Sequence, residues 1–138
     1  LKELAAALRD LEAEGVEDIS SSGADRRFHK IIAVATHNRV IMKQIEYLWD
    51  IQENIDYIHH AHQSVCAADA STRIADHTAI YDAIAAGNAS DARRAMRSHF
   101  SDLLEAMHDA SEREAVEETR RKAAQLRERF SIGEVVNF

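Results

Sequence analysis

Four residues of this 138-residue chain have the types and spacings of a metal site. Asp25 and His29 lie four apart, so on a helix both side chains point to one face. Phe28 and Ile32 share that face, which makes it the buried one. His77 falls between Ile74 and Ile80 at helical spacing, and His99 between Met96 and Leu103. Three separate helices thus send metal-competent groups into apolar surroundings. Burying such groups unpaired costs on the order of several kcal/mol. Convergence on one divalent cation offsets that cost. Three imidazoles and one carboxylate suit zinc, nickel or another borderline ion.

The blander alternative is a set of core histidines that hydrogen-bond internally, the ordinary fate of one histidine on an apolar face. Three of them on three helices, with an Asp-x-x-x-His pair, favour the metal. The remaining histidines read differently. His59 and His62, with His60 between them, have the spacing of a surface site, but polar residues beside a loop explain them more simply. His37 and His108 read as surface. Cys66, the single cysteine, reads as a small buried residue with no partner for a disulfide or a CxxC site. No Gly-rich phosphate loop, Ser/His/Asp order or HExxH signature is present.

The elements that must position these residues are all helices. A first helix is expected over residues 2–14, with Leu4, Leu8 and Leu11 as its stripe and Gly15 as its stop. Ser20, Ser21, Ser22 and Gly23 form a connection that offers caps. A second helix over 24–36 buries Phe28, Ile31, Ile32 and Ala35, and His37-Asn38 ends it with Asn in the left-handed position. A long third helix runs over 39–65, with Ile41, Ile45, Leu48, Ile55 and Ile58 in its stripe and Gln52 among them. Residues 67–71 read as a loop. A fourth helix over 72–86, capped by Ser71, is closed by Gly87-Asn88. A fifth, capped by Ser90, starts at Asp91 and turns Ala92, Ala95, Met96, Leu103 and Met107 inward. From 111 to 129 the pattern is a charged, solvated helix with Glu117–Arg121 and Glu118–Lys122 pairs. Ile132, Val135, Val136 and Phe138 are expected to pack back on a neighbour.

Composition agrees. Apolar residues make up 46% and charged residues 30%, enough for one soluble domain with a core. Proline is absent and there are four glycines, so little interrupts a helix. The net charge of −7 argues against this segment gripping nucleic acid, which needs clustered Lys and Arg. No apolar run spans a membrane and no signal peptide is visible, which fits a cytoplasmic protein.

Asp25-Arg26-Arg27-Phe28-His29 resembles the D-x-x-F-H motif of the FCD effector-binding domain, found in FadR-subfamily GntR transcription regulators. "IIAVATHNRVI" is similar to that family's apolar run ending in Asn. "DHTAIYDAIAAGNASDARRAMRSHF" is similar to its E-H-x-x-I-x-x-A-I-x-x-G-[DN]-x-x-x-A-x-x-x-M-x-x-H pattern, with Asp76 where Glu is common. The likeness covers about residues 1–107. It implies an all-α antiparallel bundle enclosing a ligand and metal cavity, here over residues 1–110, with 111–138 as a charged extension and tail. It implies a divalent ion held by Asp25, His29, His77 and His99, the same four that spacing selects. Beside the ion it implies a small carboxylate-bearing metabolite, for which Gln52, Tyr81, Arg73 and Arg93 are the candidate polar partners. The family's DNA-binding winged helix-turn-helix precedes this domain and is not within this sequence, nor are the earliest FCD helices. DNA contact would come only through that part, and a homodimer is expected because two-fold operators pair with two-fold proteins.

An enzyme on the same metal site is the second reading. It lacks a general base: Asp76 adjoins His77 but points about 100° away on a helix, and Asp102 and Glu105 face solvent. A metal-free oligomerisation module is the third. The effector-domain reading is the one carried forward: a regulator's sensor, not an enzyme.

Overall fold

A computed structural model describes residues 1–17, 23–68 and 70–130; the side chains of 15–17, 57, 64 and 66–68 are also outside the description. It is all-α. In chain order the helices are α1 (Lys2–Glu17), α2 (Gly23–Ala35), α3 (Arg39–Asn54), α4 (Asp56–Ala68), α5 (Ala70–Ala85) and α6 (Ala89–Phe130), with no strand among the described residues. The expected caps Ser20, Ser21 and Ser22, the side chain of Cys66 and the apolar tail from Ser131 lie outside the described residues.

The first stripe buries as its spacing requires: Leu4, Leu8 and Leu11 are in the core with Ala7. Gly15 does not stop α1, which continues to Glu17. One isolated glycine costs a helix only about 1 kcal/mol. The side chain of Glu14 accepts from the Ala24 N–H at 3.2 Å, so a carboxylate of α1 caps the start of α2. On α2, Phe28 is fully buried and Ile31 and Ile32 pack against the Leu4–Leu8–Ile80 cluster. Ala35 is exposed, one turn too late to reach it.

Both turns come where the sequence places them, and Gly87-Asn88 closes its helix as expected, but the left-handed residue at the first and the cap of α6 differ. After α2 the left-handed residue is His37, at φ 54°, and Asn38 instead caps α3 by accepting from Val40 N–H and Ile41 N–H. After α5, Gly87 is left-handed at φ 68°. Its N–H donates to Ile84 O while Asn88 N–H donates to Ala83 O, the paired bonds of a Schellman closure. Asn88, not Ser90, caps α6 by accepting from Asp91 N–H at 3.1 Å. Ser71 likewise lies inside α5, and of the expected 67–71 loop the described residues 67, 68, 70 and 71 are helical.

The long third helix is two helices. Ile55 is extended (φ −105°, ψ 102°) and separates α3 from α4. Its N–H still donates to Ile51 O and its carbonyl accepts from His59 N–H, so one residue closes one helix and opens the next. A β-branched residue takes that conformation readily, and Asp56 behind it suits the positive end of α4.

The packing pairs are α1 with α2 and α5, α2 with α3, α3 with α4, α4 with α5 and α6, and α5 with α6. The order α1–α2–α3–α4–α6–α5 therefore closes on itself as a ring. α3 has no backbone approach to α6 across it, so much of its expected stripe stays open: Ile41, Leu48 and Ile55 are exposed, while Ile45 and Ile58 are half-buried.

Candidate metal centre

The side chains that point into the ring are Asp25 and His29 from α2, Trp49 from α3, His62 from α4, His77 from α5 and His99 from α6, all buried. The α2 pair follows from its four-residue spacing, and His77 from its place one turn before Ile80. The packing of α5 on α6 brings the His77 and His99 rings to 4.6 Å, and the His29 ring lies 5.3 Å from one and 5.4 Å from the other. Nitrogens of His29, His77 and His99 all lie within 4.8 Å of one another. Nitrogens around an ion at 2.0–2.1 Å sit roughly 3–3.5 Å apart, so ångström-scale side-chain movement suffices to seat one.

The hydrogen bonds give a sharper test of fit. His77 Nδ1 lies 2.7 Å from the Arg73 carbonyl oxygen, and its Nε2 lies 3.0 Å from Asp25 Oδ1. Both oxygens only accept, and a neutral imidazole has one N–H. The ring therefore needs a cation at its Nε2 side, either a second proton or a metal ion. His29 Nε2 is 3.2 Å from the same Asp25 oxygen. His99 Nδ1 is buried without a hydrogen bond and faces Asp76 Oδ2 at 3.5 Å. A ring anchored by a carbonyl or carboxylate behind one nitrogen, with the other aimed inward, is the usual posture of a metal-ligating histidine. The three histidines could hold a divalent ion, with Asp25 Oδ1 against two of them.

Electrostatics follow from burial. Desolvation alone would raise the Asp25 carboxyl, but hydrogen bonds and charge from His29 and His77 hold it well below the usual carboxylate range. The His99 imidazole is pushed down to about 4, first by burial and then by the charges of His77 and His29. Burial also lowers His62. An ionised Asp25 and a neutral His99 are the forms that bind metal.

Two cavities adjoin the cluster. The larger, about 180 Å³, is lined by Asp25, His62, Arg73, Asp76, His99 and Asp102 among others. Arg73 Nε there is buried with no hydrogen-bond partner among the described residues. The smaller, about 100 Å³, is lined on its apolar side by Ile45, Leu48, Trp49 and Phe100, with Gln52 beside them. Of the four polar residues expected near a metabolite, Arg73 and Gln52 reach these cavities and Tyr81 and Arg93 do not. Tyr81 packs against the Leu4–Phe28–Ile80 cluster, and Arg93 is exposed on α6.

Sequence reasoning missed His62. It is buried, edge-on to Trp49 at 6.2 Å, and lines both cavities. Its i, i+3 relation to His59 was visible, but the change of direction at Ile55 that turns it inward was not. Asp76 was read as pointing away; it does diverge from His77 on α5, yet meets His99 because α6 packs along that flank. Asp102 is exposed, as expected, and also contributes to the rim of the larger cavity.

The FCD domain family matches residues 1–102. Over 86 residues the chain is 37% identical to the Putative L-lactate dehydrogenase operon regulatory protein of Escherichia coli, covering 61% of this chain and 32% of that protein; the protein of that name from Shigella flexneri matches equally. It is 30% identical to the Uxu operon regulator of Haemophilus influenzae over 113 residues, covering 81% of this chain and 41% of the regulator. The chain thus spans about a third to two fifths of the length of these relatives. No solved structure matches it significantly. No described helix is long and apolar enough to cross a membrane. With the family match extending from α1 to the His99 turn of α6, the chain belongs to the FCD domain family.

Proposed function

We propose that this chain is the effector-sensing domain of a cytoplasmic GntR-type transcription regulator. In this reading Asp25, His29, His77 and His99 hold one divalent ion, zinc or nickel, and a small carboxylate-bearing metabolite binds beside it. The observation that carries the reading is the convergence of His29, His77 and His99, buried on three helices with one nitrogen of each within 4.8 Å of the others. The relatives' names, one a regulatory protein of an L-lactate dehydrogenase operon and one the Uxu operon regulator, support regulation of an operon. Arg73 suits a carboxylate, since it lines the larger cavity and its Nε is buried without a hydrogen-bond partner among the described residues. An ion bound here would supply a Lewis-acidic centre with positions open to an oxygen ligand.

The chain's own residues do the rest. Arg73 O and Asp76 orient His77 and His99. Asp25 balances charge, and Phe28 and Trp49 exclude water from the cluster. An acid that bridges α5 to the α2 side of the ring favours one arrangement of the helices, by no more than its differential affinity. In a homodimer that shift resets the spacing of DNA-reading domains carried elsewhere in a longer protein. Asp76 stands behind a ligand rather than beside an open position, which favours a sensor over a hydrolase.

Metal analysis of the purified chain, never exposed to a nickel column, tests this. About one transition metal per chain is expected. The His77→Ala/His99→Ala variant should lose it while its circular dichroism stays helical. Full metal retention in that variant refutes the site.

A further inference from the structure

The family match ends at residue 102, and α6 continues to Phe130. Along that continuation Val116, Thr119, Ala123, Leu126 and Phe130 recur at alternating steps of three and four, the a and d positions of a coiled-coil seam. All five are exposed, Val116 at 43%, Leu126 at 54% and Phe130 at 71%. The Thr119 hydroxyl donates to the Ala115 carbonyl at 2.9 Å, so its polar group is satisfied within the helix. Both flanks of the seam are basic: Arg113, Arg120 and Arg127 follow one edge, and Lys122 and Arg129 follow the other. The acidic residues Glu114, Glu117, Glu118 and Glu128 lie on the far side of the helix. We infer that this seam docks an acidic amphipathic helix of another protein, one with Asp or Glu flanking its own apolar stripe.

Charge decides the occupant. In a coiled coil the e and g residues of one helix face those of the other and set which partner is accepted. A second copy of this seam would bring Arg and Lys against Arg and Lys in either orientation, so the seam rejects itself. Acidic flanks fit it in either orientation. Arg120 and Lys122 are held by Glu117 and Glu118 at 2.9 and 2.6 Å on the exposed helix surface. Such pairs contribute little and exchange readily for a partner's carboxylates. A lipid surface fits less well. A helix lying in a membrane presents a broad face of large apolar residues, whereas this stripe is confined to a and d. Its centre is small, Thr119 and Ala123, which gives the larger side chains of a facing helix room to seat. Docking also supplies the packing that this part of α6 lacks.

Two synthetic peptides of about three heptads test this, both with Leu at a and d; one has Glu at e and g, the other Lys. Each carries a fluorescent label, and its anisotropy is followed as the purified chain is added at low salt. The Glu peptide should bind at least about tenfold tighter than the Lys peptide, with a preference that shrinks as salt rises. Leu126→Ala/Phe130→Ala removes the apolar contacts, keeps good helix formers and should abolish binding. Arg120→Glu/Arg127→Glu should turn the preference toward the Lys peptide, and Arg121→Glu on the far side should not. All of these positions are exposed, so the variants should fold as the parent chain does. Equal binding of the two peptides, binding of neither, or Glu-peptide binding that survives Leu126→Ala/Phe130→Ala overturns the inference. Three further results overturn it by giving the seam another occupant. Phosphatidylserine vesicles held more tightly than the Glu peptide through the same two residues would make it a lipid-binding face. An oligomer of the chain that those two substitutions dissociate would assign it to a second copy. Peptide binding seen only after residues 131–138 are removed would assign it to the chain's own tail.

Discussion

Asp25 is a carboxylate buried at 5% exposure with two imidazole nitrogens on one of its oxygens, at 3.0 and 3.2 Å. Such an arrangement stabilises the fold only if those bonds outweigh desolvation, and a site built for an ion need not satisfy that condition. Here the carboxyl is held below its ordinary range despite burial, so the bonds win. Asp25→Asn in the metal-free chain should therefore cost about 2 kcal/mol, since charge-assisted hydrogen bonds become neutral ones. Urea unfolding with an unchanged slope measures it. Unchanged or increased stability would mean the carboxylate is kept for a ligand at the fold's expense. Asp25, His29, His77 and His99 were legible from sequence because each sits in an apolar stripe, and periodicity alone reports which way a stripe faces. The anchors behind them were not. The Arg73 carbonyl belongs to a backbone that carries no side-chain signal, and Asp76 meets His99 only through the packing of two helices.

At the scale of elements, helix type was written in periodicity while helix ends depended on single residues. Gly87 announced itself, because a left-handed residue with a Schellman closure behind it favours glycine. His37 did not, since histidine takes the left-handed region less often. The break at Ile55 was illegible: no proline or glycine marks it, and the apolar spacing of α3 runs through it without a gap. α6 poses the opposite case. It is continuous to Phe130, yet residues 112–130 are exposed throughout and its first half alone meets α4 and α5. The Arg120–Glu117 and Lys122–Glu118 pairs on it are solvent-exposed and worth little. Most of a helix's stability in a protein comes from packing an apolar face, and this stretch packs none. Ending the chain at residue 111 should thus leave the urea midpoint of the rest within about 1 kcal/mol equivalent of the full chain, with metal content unchanged. A larger loss would show that the extension is covered, by this chain or by a second copy.

For the whole molecule, the ring of helices draws its stability partly from groups that acid must charge. His99, pushed down to about 4 against 6.5 when unfolded, binds fewer protons in the fold than in the open chain across that interval. His62 is shifted the same way. Where the unfolded state holds more protons, stability rises with pH. The contribution is therefore complete above about 6.5 and is lost as pH falls toward 4; for His99 it is on the order of 3 kcal/mol. Asp25 acts lower on the scale, because its stabilisation is lost only as pH drops through the ordinary carboxylate range and below. The groups facing His99 do not cancel the effect. His29 and His77 repel its proton, and the attraction of Asp25 and Asp76 is already outweighed. Thermal unfolding of the chelated chain should accordingly fall steadily between pH 7 and pH 4.5, beginning while exposed carboxylates are still ionised. In the metal-loaded chain the ion competes with the same protons. Its melting temperature should start higher, fall more steeply, and meet the chelated curve once the ion is released. A chelated curve that is flat from pH 7 to 5 would mean the cluster opens to solvent at little cost. The three histidines would then not form a closed centre inside the ring.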